Sequence, residues 1–278
     1  MLHDRVVTRP PTQEENTSTL SGSGYRRLMT VRKIFAGFAV AIAFFTRIPM
    51  AMPACHTGRL ADAAWAFPLV GAGVGAVAAF AFLLAQLLGL GDWPAATLAL
   101  LTGAVLTGAL HEDGLADTAD GLIGGRDRDE RLAIMRDSQH GTFGVLAIVF
   151  SVLLRAAALA SIGEPIHAGL ALIAAHSASR AALPVAMRAL APARAEGLGA
   201  AAGRPRAAPV IGALTIGLLV SLAALGPSRG IVAFSLSGAA ILVLGVLAHR
   251  HIGGYTGDVL GAFQQIGEIV MLLTAAAR

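Results

Sequence analysis

Long apolar runs, separated by short polar stretches, are the feature that most constrains how this chain folds. Each is about 17 residues or longer, the length that an α-helix needs to cross a hydrocarbon layer of roughly 30 Å. Seven such runs lie at residues 63–88, 95–111, 142–162, 166–188, 209–226, 231–248 and 258–276. They are rich in Ala, Leu and Gly, and few show the alternation of barrel strands. The sequence therefore predicts an all-α, polytopic transmembrane helix bundle with about seven spans.

The composition agrees with a membrane protein and argues against nucleic-acid binding. The chain is 55% hydrophobic and 14% charged, whereas soluble domains carry roughly 25% charged residues. The net charge is +4, but the arginines lie in short stretches between apolar runs. That distribution is typical of membrane orientation and not of a basic nucleic-acid patch. The single cysteine, Cys55, excludes an intrachain disulfide and a cysteine-based zinc site.

The arginine distribution predicts which polar stretches face the cytoplasm. One set holds ten arginines and consists of residues 47–62, 112–141, 189–208 and 249–257. The other set consists of the stretches that alternate with these along the chain, residues 89–94, 163–165 and 227–230. It holds only one arginine, Arg229. Because cytoplasmic loops carry an excess of Lys and Arg, we expect the first set to lie in the cytoplasm.

The N-terminal region is predicted to contain an extension and a short helix that does not cross the membrane. Ile34–Phe45 holds only about a dozen apolar residues and has basic residues on both flanks, so we expect a re-entrant or interfacial helix. Residues 1–30 are polar and lack the apolar core of a signal peptide. We predict a disordered extension over residues 1–30 and an integral membrane catalytic domain over residues 31–278.

The densest polar sequence, His111-Glu-Asp-Gly-Leu-Ala-Asp-Thr-Ala-Asp-Gly121, follows the second apolar run. Its residues Asp113, Asp117 and Asp120 fall within about 60° of one another on a helix face. Three carboxylates so close repel one another unless a cation lies between them. Oxygen ligands favour Mg²⁺ or Mn²⁺ over zinc. The alternative is a solvated acidic loop, which the small apolar residues between the carboxylates disfavour.

The neighbouring polar residues leave several roles open. His111 fits a general base, a phosphate hydrogen-bond donor or an interfacial residue equally well. Asp127 and Glu130 have the spacing of a capping box, which predicts a helix start. On the helix that would follow, Asp129, Arg136 and His140 share one face. Arginines beside metal-binding carboxylates suit a phosphate-bearing substrate. For Arg128 and Arg131, the excess of arginine in cytoplasmic loops is a sufficient alternative explanation.

Other charged residues lie within or next to the apolar runs. Charge in a membrane is costly and is retained where it meets a polar cavity or a partner. Asp258 fits a helix cap and an active-site residue equally. Glu268 lies deeper, where an ion pair with Arg155 or Arg180 is the alternative to a site role. The short loop Arg194–Gly199, which contains Glu196, is a weaker candidate for a substrate loop.

Several of these stretches together resemble the cobalamin synthase family, adenosylcobinamide-GDP ribazoletransferase. The resemblance covers roughly residues 34–276, and its Asp-Gly-Leu-Ala-Asp and Met-Arg-Asp-Ser motifs are specific in combination. The stretches that carry it are Phe44-Phe-Thr-Arg-Ile-Pro49, Phe67-Pro-Leu-Val-Gly71, His111–Gly121, Arg131–Gly144, Ser179-Arg180, Arg194–Gly199, Gly253–Gly261 and Gly267-Glu268.

The resemblance implies a multi-pass enzyme of the bacterial inner membrane with a cytoplasmic active site that uses Mg²⁺. It would join α-ribazole, or α-ribazole 5′-phosphate, to adenosylcobinamide-GDP and release GMP. Other enzymes of nucleotide-loop assembly are expected partners, besides the lipid bilayer. The expected catalytic residues are His111, Asp113, Asp117 and Arg136, and the expected metal ligands are Asp113, Asp117 and Asp120. The expected substrate-binding residues are Arg47, Arg131, Asp137, Ser138, Arg180, Glu196, Asp258 and Glu268.

Two other classes compete with this interpretation. A CDP-alcohol phosphotransferase also places aspartates near a membrane boundary, but its Asp-Gly is followed at fixed spacings by Ala-Arg, Gly and two Asp. Asp113-Gly114 is followed instead by Leu-Ala-Asp-Thr-Ala-Asp. A transporter would use intramembrane Arg155, Arg180 and Glu268 along a permeation path. Such folds usually contain two related halves, and we find no internal repeat.

Overall fold

A computed structural model describes residues 22–50, 59–137 and 139–277, and the described part of the chain is helical without a β-strand. A 3₁₀ turn at Leu60–Ala66 leads directly into the second helix. The helices are α1 Gly22–Phe45, α2 Phe67–Leu87, α3 Asp92–Thr107, α4 Leu110–Ala119, α5 Arg128–Ile134, α6 Thr142–Ile162, α7 Pro165–Ala189, α8 Leu198–Ala202, α9 Ala207–Leu225, α10 Pro227–Ile252 and α11 Gly257–Ala276.

Six helical segments in the described residues are long and apolar enough to cross a membrane. They are the continuous helix Leu60–Leu87, α6, α7, α9, α10 and α11. A seventh candidate is α3, which meets the same criterion together with α4 although the pair is bent by 93°. The prediction of an all-α polytopic bundle with about seven spans is therefore confirmed.

The predicted second span, 95–111, is wrong at its C-terminal end. Helix α3 stops at Thr107 because Gly108 and Ala109 both adopt left-handed backbone angles, with φ of +67° and +56°. Glycine adopts this conformation readily and ends many helices. The chain then turns into α4, which packs against the first turns of α6 and α11. We count α3 as the crossing segment, and α4 turns away from it to pack beside α6 and α11.

Helix α1 begins at Gly22, earlier than the predicted boundary at residue 31. Residues 22–30 of the predicted extension are therefore part of this helix in the structure. The physical reason is that residues 25–36 contain neither proline nor glycine, so nothing ends the helix there. Helix α1 is not among the segments that meet the criterion for crossing, in agreement with the predicted non-crossing helix. Residues 1–21 and Cys55 lie outside the described residues.

Helix α7 is the central element of the bundle and packs against α2, α9 and α11. Glycines of α2 allow the closest approach. A Cβ added at Gly71 would lie 2.2 Å from the carbonyl oxygen of His176, and one at Gly75 would lie 2.7 Å from that of Leu172. Small residues allow the backbones of membrane helices to approach closely. The tight contact fixes α7, and the charged residues it carries, against the rest of the bundle.

Candidate active site

Two aspartates of α4 and one histidine form a cluster that could hold a metal ion. One potential ligand atom from each of Asp113, Asp117 and His140 lies within 4.8 Å of the other two. The Nε2 atom of His140 is 3.7 Å from Asp113 Oδ1, and its Nδ1 atom is 3.5 Å from Asp117 Oδ1. The aspartates are one helical turn apart, so they present their oxygens on the same side of α4.

The structure does not place Asp120 in this cluster, which corrects the predicted set of three aspartate ligands. Asp120 is buried, and its two oxygens accept hydrogen bonds from the backbone N–H groups of Gly141 at 2.7 Å and Gly144 at 2.9 Å. These N–H groups begin α6 and have no partner within that helix. The carboxylate therefore caps α6 and fixes the adjacent His140 beside α4.

The carboxylates at this end of the bundle repel one another. Partial burial is the main cause that raises the pKa of Asp117 to about 6, and the negative charges of Asp113 and Asp258 raise it further. His140 opposes this shift. A cation between Asp113 and Asp117 would remove the repulsion. The electrostatics therefore favour a bound cation.

Asp258 belongs to this site and does not act as the cap of α11. Its Oδ2 atom accepts hydrogen bonds from the Thr256 hydroxyl and from Nη2 of Arg194, both at 3.1 Å. The cap is Thr256, whose hydroxyl oxygen accepts a hydrogen bond from the N–H of Val259. A cap role and a site role were equally open for Asp258, and the geometry favours the second.

A cavity of about 160 Å³ opens beside the aspartates. Its polar lining consists of His111, Asp113, Arg194 and Asp258, and its remaining walls are mainly apolar. The Nη1 atom of Arg194 is buried without a hydrogen-bond partner among the described residues. Arg194 is therefore held by Asp258 through one nitrogen while the other stays available for an anionic ligand.

His111 forms part of the cavity wall and is nearly fully buried. Its ring stacks on that of Phe45, with centroids 5.8 Å apart and planes 9° from parallel. Its Nε2 atom lacks a hydrogen-bond partner among the residues that the structure describes. A buried neutral imidazole with a free nitrogen fits the predicted role of a general base.

Glu268 and Arg180 lie below the cavity in a buried ionic network and do not line the cavity. Glu268 is 0% exposed and pairs with Arg155 at 2.8 Å and with His176 at 3.1 Å. Arg155 also pairs with Glu112 at 3.5 Å. For Glu268 the geometry favours the alternative, an ion pair with Arg155, while Arg180 Nη1 lies 3.1 Å from both the Nδ1 atom and the carbonyl oxygen of His176. Buried charges persist when they are paired in this way.

The other predicted substrate-binding residues lie away from the cavity wall. Arg47 is exposed, and its side chain lies against Gly108. Arg131 is half-buried against Gly125. Asp137 and Glu196 are exposed and not part of the cavity lining, and the same holds for Arg136, which was predicted as a catalytic residue. Ser138 lies outside the described residues.

The face that Asp129, Arg136 and His140 were expected to share does not form. Helix α5 ends at Ile134, so Arg136 and His140 lie in the connection to α6. The start of α5 is as predicted, with Asp127 accepting hydrogen bonds from the N–H groups of Asp129 and Glu130. The sequence pattern identified the beginning of this helix correctly and its length incorrectly.

Three features of the site were missed by sequence reasoning. His140 was assigned to a helix face, Arg194 was weighed only as part of a loop, and the aromatic residues beside His111 were not considered. The sequence did contain an indication that His140 lies near the acidic residues. Gly141 and Gly144 follow it, and glycines allow the backbone to approach a carboxylate closely. A Cβ at Gly144 would lie 2.3 Å from Asp120 Oδ2.

Comparison with known proteins gives consistent matches along most of the chain. A family model described as cobalamin-5-phosphate synthase matches residues 37–276. An adenosylcobinamide-GDP ribazoletransferase of Bradyrhizobium diazoefficiens is 50% identical over 250 residues, which cover 89% of this chain and 96% of the relative. The enzyme of the same name from Azorhizobium caulinodans is 45% identical over 251 residues, covering 87% and 95%. That of Mesorhizobium japonicum is 41% identical over 248 residues, covering 89% and 95%. No solved structure matches.

Proposed function

Since the chain belongs to the cobalamin-5-phosphate synthase family, we propose how its residues carry out the reaction of an adenosylcobinamide-GDP ribazoletransferase. The protein joins adenosylcobinamide-GDP and ribazole to make cobalamin or its 5′-phosphate, a late step of cobalamin biosynthesis. The observation that carries the proposal is that Asp113, which forms a cluster with Asp117 and His140, also lines a cavity that contains Arg194 and His111.

Mg²⁺ fits the two carboxylates of the cluster formed by Asp113, Asp117 and His140. This ion is usually bound through one or two carboxylates together with waters and substrate phosphates. Asp113 and Asp117 supply such carboxylates. Burial is the main cause of the raised pKa of Asp117, and the neighbouring carboxylates, whose repulsion a cation would offset, raise it further. Asp120 is not included, because both its oxygens are engaged by α6. When bound here, Mg²⁺ would neutralise oxygens of the diphosphate and stabilise the departing GMP.

The protein side chains account for binding and proton transfer. A ribose hydroxyl of ribazole attacks the phosphorus attached to cobinamide, a new P–O bond forms, and the bond from that phosphorus to the oxygen of GMP breaks. Arg194, positioned by Asp258, donates its free Nη1 hydrogens to diphosphate oxygens. The hydroxyl proton passes to Nε2 of His111, which is buried in the same cavity wall.

The same arrangement suggests that the site faces the cytoplasm. The starts of α6 and α11 and the connection between α4 and α6 meet at one end of the bundle, and the arginine-rich stretches lie at this end. The positive-inside rule then assigns it to the cytoplasmic side of the bacterial inner membrane. Association with other enzymes of nucleotide-loop assembly stays a prediction of the family resemblance.

A GMP-release assay on detergent-solubilised protein tests the proposal. With adenosylcobinamide-GDP, α-ribazole and Mg²⁺, we expect GMP and a cobalamin product in equal amounts, and no GMP without ribazole. Removal of Mg²⁺ with a chelator should stop turnover, and undiminished turnover would overturn the metal assignment alone. Release of CMP from a CDP-alcohol, or uptake into vesicles without chemical conversion, would instead support one of the two competing classes.

A further inference from the structure

The apolar part of the cavity is built mainly from aromatic and long aliphatic side chains. We call this part the aromatic pocket, and its principal walls are Phe44, Phe45, Leu60, Phe67, Leu183 and Met187. These residues come from α1, the 3₁₀ turn, α2 and α7, so elements distant in sequence converge on one small space. Side chains of this kind are the usual lining of a site for a flat apolar ligand.

The rear of the aromatic pocket is a fixed aromatic platform. The ring of Phe45 packs edge-on against Phe67 at 4.8 Å and stacks in parallel on His111 at 5.8 Å. The guanidinium carbon of Arg180 lies 5.6 Å from the same ring centroid. Phe44 packs edge-on against Phe45 at 5.0 Å and is only half-buried. The platform is thus held by several neighbours, while Phe44 forms its more exposed edge.

The polar groups lie together at one side of the same cavity. Asp113, Arg194 and Asp258 share the cavity with the aromatic pocket. A ligand that fills both parts must have a flat apolar portion joined to a polar portion that reaches phosphate-binding groups. Two parts of the substrates of the proposed reaction have this shape: ribazole, whose dimethylbenzimidazole base is attached to a ribose, and the GDP moiety, whose guanine is attached to a ribose and a diphosphate.

We propose that the aromatic pocket binds the dimethylbenzimidazole base of ribazole and so orients the ribose hydroxyl toward His111 and Asp113. The inference rests on the proposed function and identifies the acceptor subsite within it. A bicyclic base with two methyl groups suits the mainly apolar walls of the aromatic pocket. For guanine, the hydrogen-bonding edge would be left unpaired against Phe44, Leu60 and Met187.

Equilibrium dialysis with radiolabelled ribazole tests the assignment without requiring turnover. Phe44→Ala removes a wall of the aromatic pocket at a half-buried position, and we expect binding to weaken about tenfold or more. The matched control is Phe80→Ala, because Phe80 lies in α2 with 66% of its surface exposed, outside the cavity lining. This control should bind ribazole as the wild type does. Wild-type protein that fails to bind ribazole, or Phe44→Ala protein that binds it normally, would overturn the inference.

Steady-state kinetics provide the second measurement and separate the acceptor from the donor. Phe44→Ala should raise KM for ribazole about tenfold and change KM for adenosylcobinamide-GDP less than twofold. Free dimethylbenzimidazole should compete with ribazole and not with adenosylcobinamide-GDP. An equal rise in both KM values would contradict the subsite. If the wild type binds ribazole but releases no GMP, the proposed function fails while the dialysis result still decides the subsite.

A filling substitution distinguishes recognition of the base from a general loss of structure. Leu60→Trp adds volume to the aromatic pocket from the 3₁₀ turn and should exclude the dimethylated base more strongly than unsubstituted benzimidazole riboside. We expect the preference between these two acceptors to shift toward the smaller one by about tenfold. An unchanged ratio of kcat/KM values would show that the base does not occupy this pocket.

Discussion

Asp120 accepts a hydrogen bond from the backbone N–H of Gly141 at 2.7 Å, which joins the end of α4 to the start of α6. Its second oxygen accepts the N–H of Gly144 at 2.9 Å. His140 immediately precedes this junction and reaches Asp113 and Asp117. An aspartate expected to bind the metal thus contributes by positioning a neighbouring histidine.

Asp120→Ala should therefore weaken both the fold and the metal cluster. It leaves two N–H groups of α6 without an acceptor, which costs about 1–3 kcal/mol. We expect a lower Tm in detergent together with a higher Mg²⁺ concentration for half-maximal activity. Asp127→Ala is the control, because it removes the cap of α5 away from the cluster. It should lower Tm without changing the Mg²⁺ requirement, and equal Mg²⁺ curves for the two variants would contradict the positioning role.

Asp113→Asn and Asp117→Asn should each nearly abolish turnover while the protein still inserts and purifies normally. Loss of one carboxylate removes charge from the metal cluster, and we expect kcat to fall about 10²-fold or more. The measurement is GMP release across a Mg²⁺ or Mn²⁺ titration. Asp129→Asn, at an exposed position on α5, is the control. Near-normal turnover in either cluster variant would remove the metal assignment.

Arg194→Gln should impair use of adenosylcobinamide-GDP more than binding of ribazole. The substitution removes the buried nitrogen that we assign to diphosphate oxygens and releases Asp258. We expect kcat/KM for the GDP substrate to fall about 10²-fold. The exposed Arg206 offers the control Arg206→Gln, which should behave as the wild type. A selective rise in KM for ribazole would show that Arg194 acts on ribazole and would contradict its assignment to the diphosphate.

Gly114→Ala should separate α4 from α11, because the added Cβ would lie 2.7 Å from the carbonyl oxygen of Asp258. The carboxylates on the two helices would then move apart, so we expect activity to fall more than tenfold, with a lower Tm. Gly73→Ala is the matched control, since a Cβ there meets nothing within 4 Å. It should preserve activity, and normal activity in Gly114→Ala would show that this contact is dispensable.

Glu268→Gln should act on stability and not on substrate affinity. It leaves Arg155 without one of its two partners in a buried network, which costs about 3–5 kcal/mol. The measurements are Tm and the KM for each substrate in the protein that remains folded. The double substitution Arg155→Met with Glu268→Met removes the pair and should be less destabilising than the sum of the single ones. A large rise in either KM without a change in Tm would restore a substrate-binding role for Glu268.

Most of the helices could be predicted, because an apolar run long enough to cross a membrane is visible in the sequence without knowing what the helix packs against. The spans at 142–162, 166–188 and 258–276 agree with α6, α7 and α11 to within one residue at each end. The second span was misjudged at Gly108, because helix periodicity does not reveal where a left-handed residue turns the chain. Identification of Asp113 and Asp117 as neighbours also followed from spacing, since residues four apart share a helix face.

The sequence by itself determined a membrane-embedded helical bundle and a candidate acidic motif at one end, because hydropathy and the helical repeat are local properties of the chain. Only the tertiary structure decided which polar groups meet. It removed Asp120 from the cluster, added His140 and Arg194, and enclosed Glu268 within an ionic network. The reason is that a carboxylate pairs with whichever donor packing brings to it. Those donors, the N–H groups of Gly141 and Gly144 and the guanidinium of Arg155, lie on helices that no sequence spacing relates.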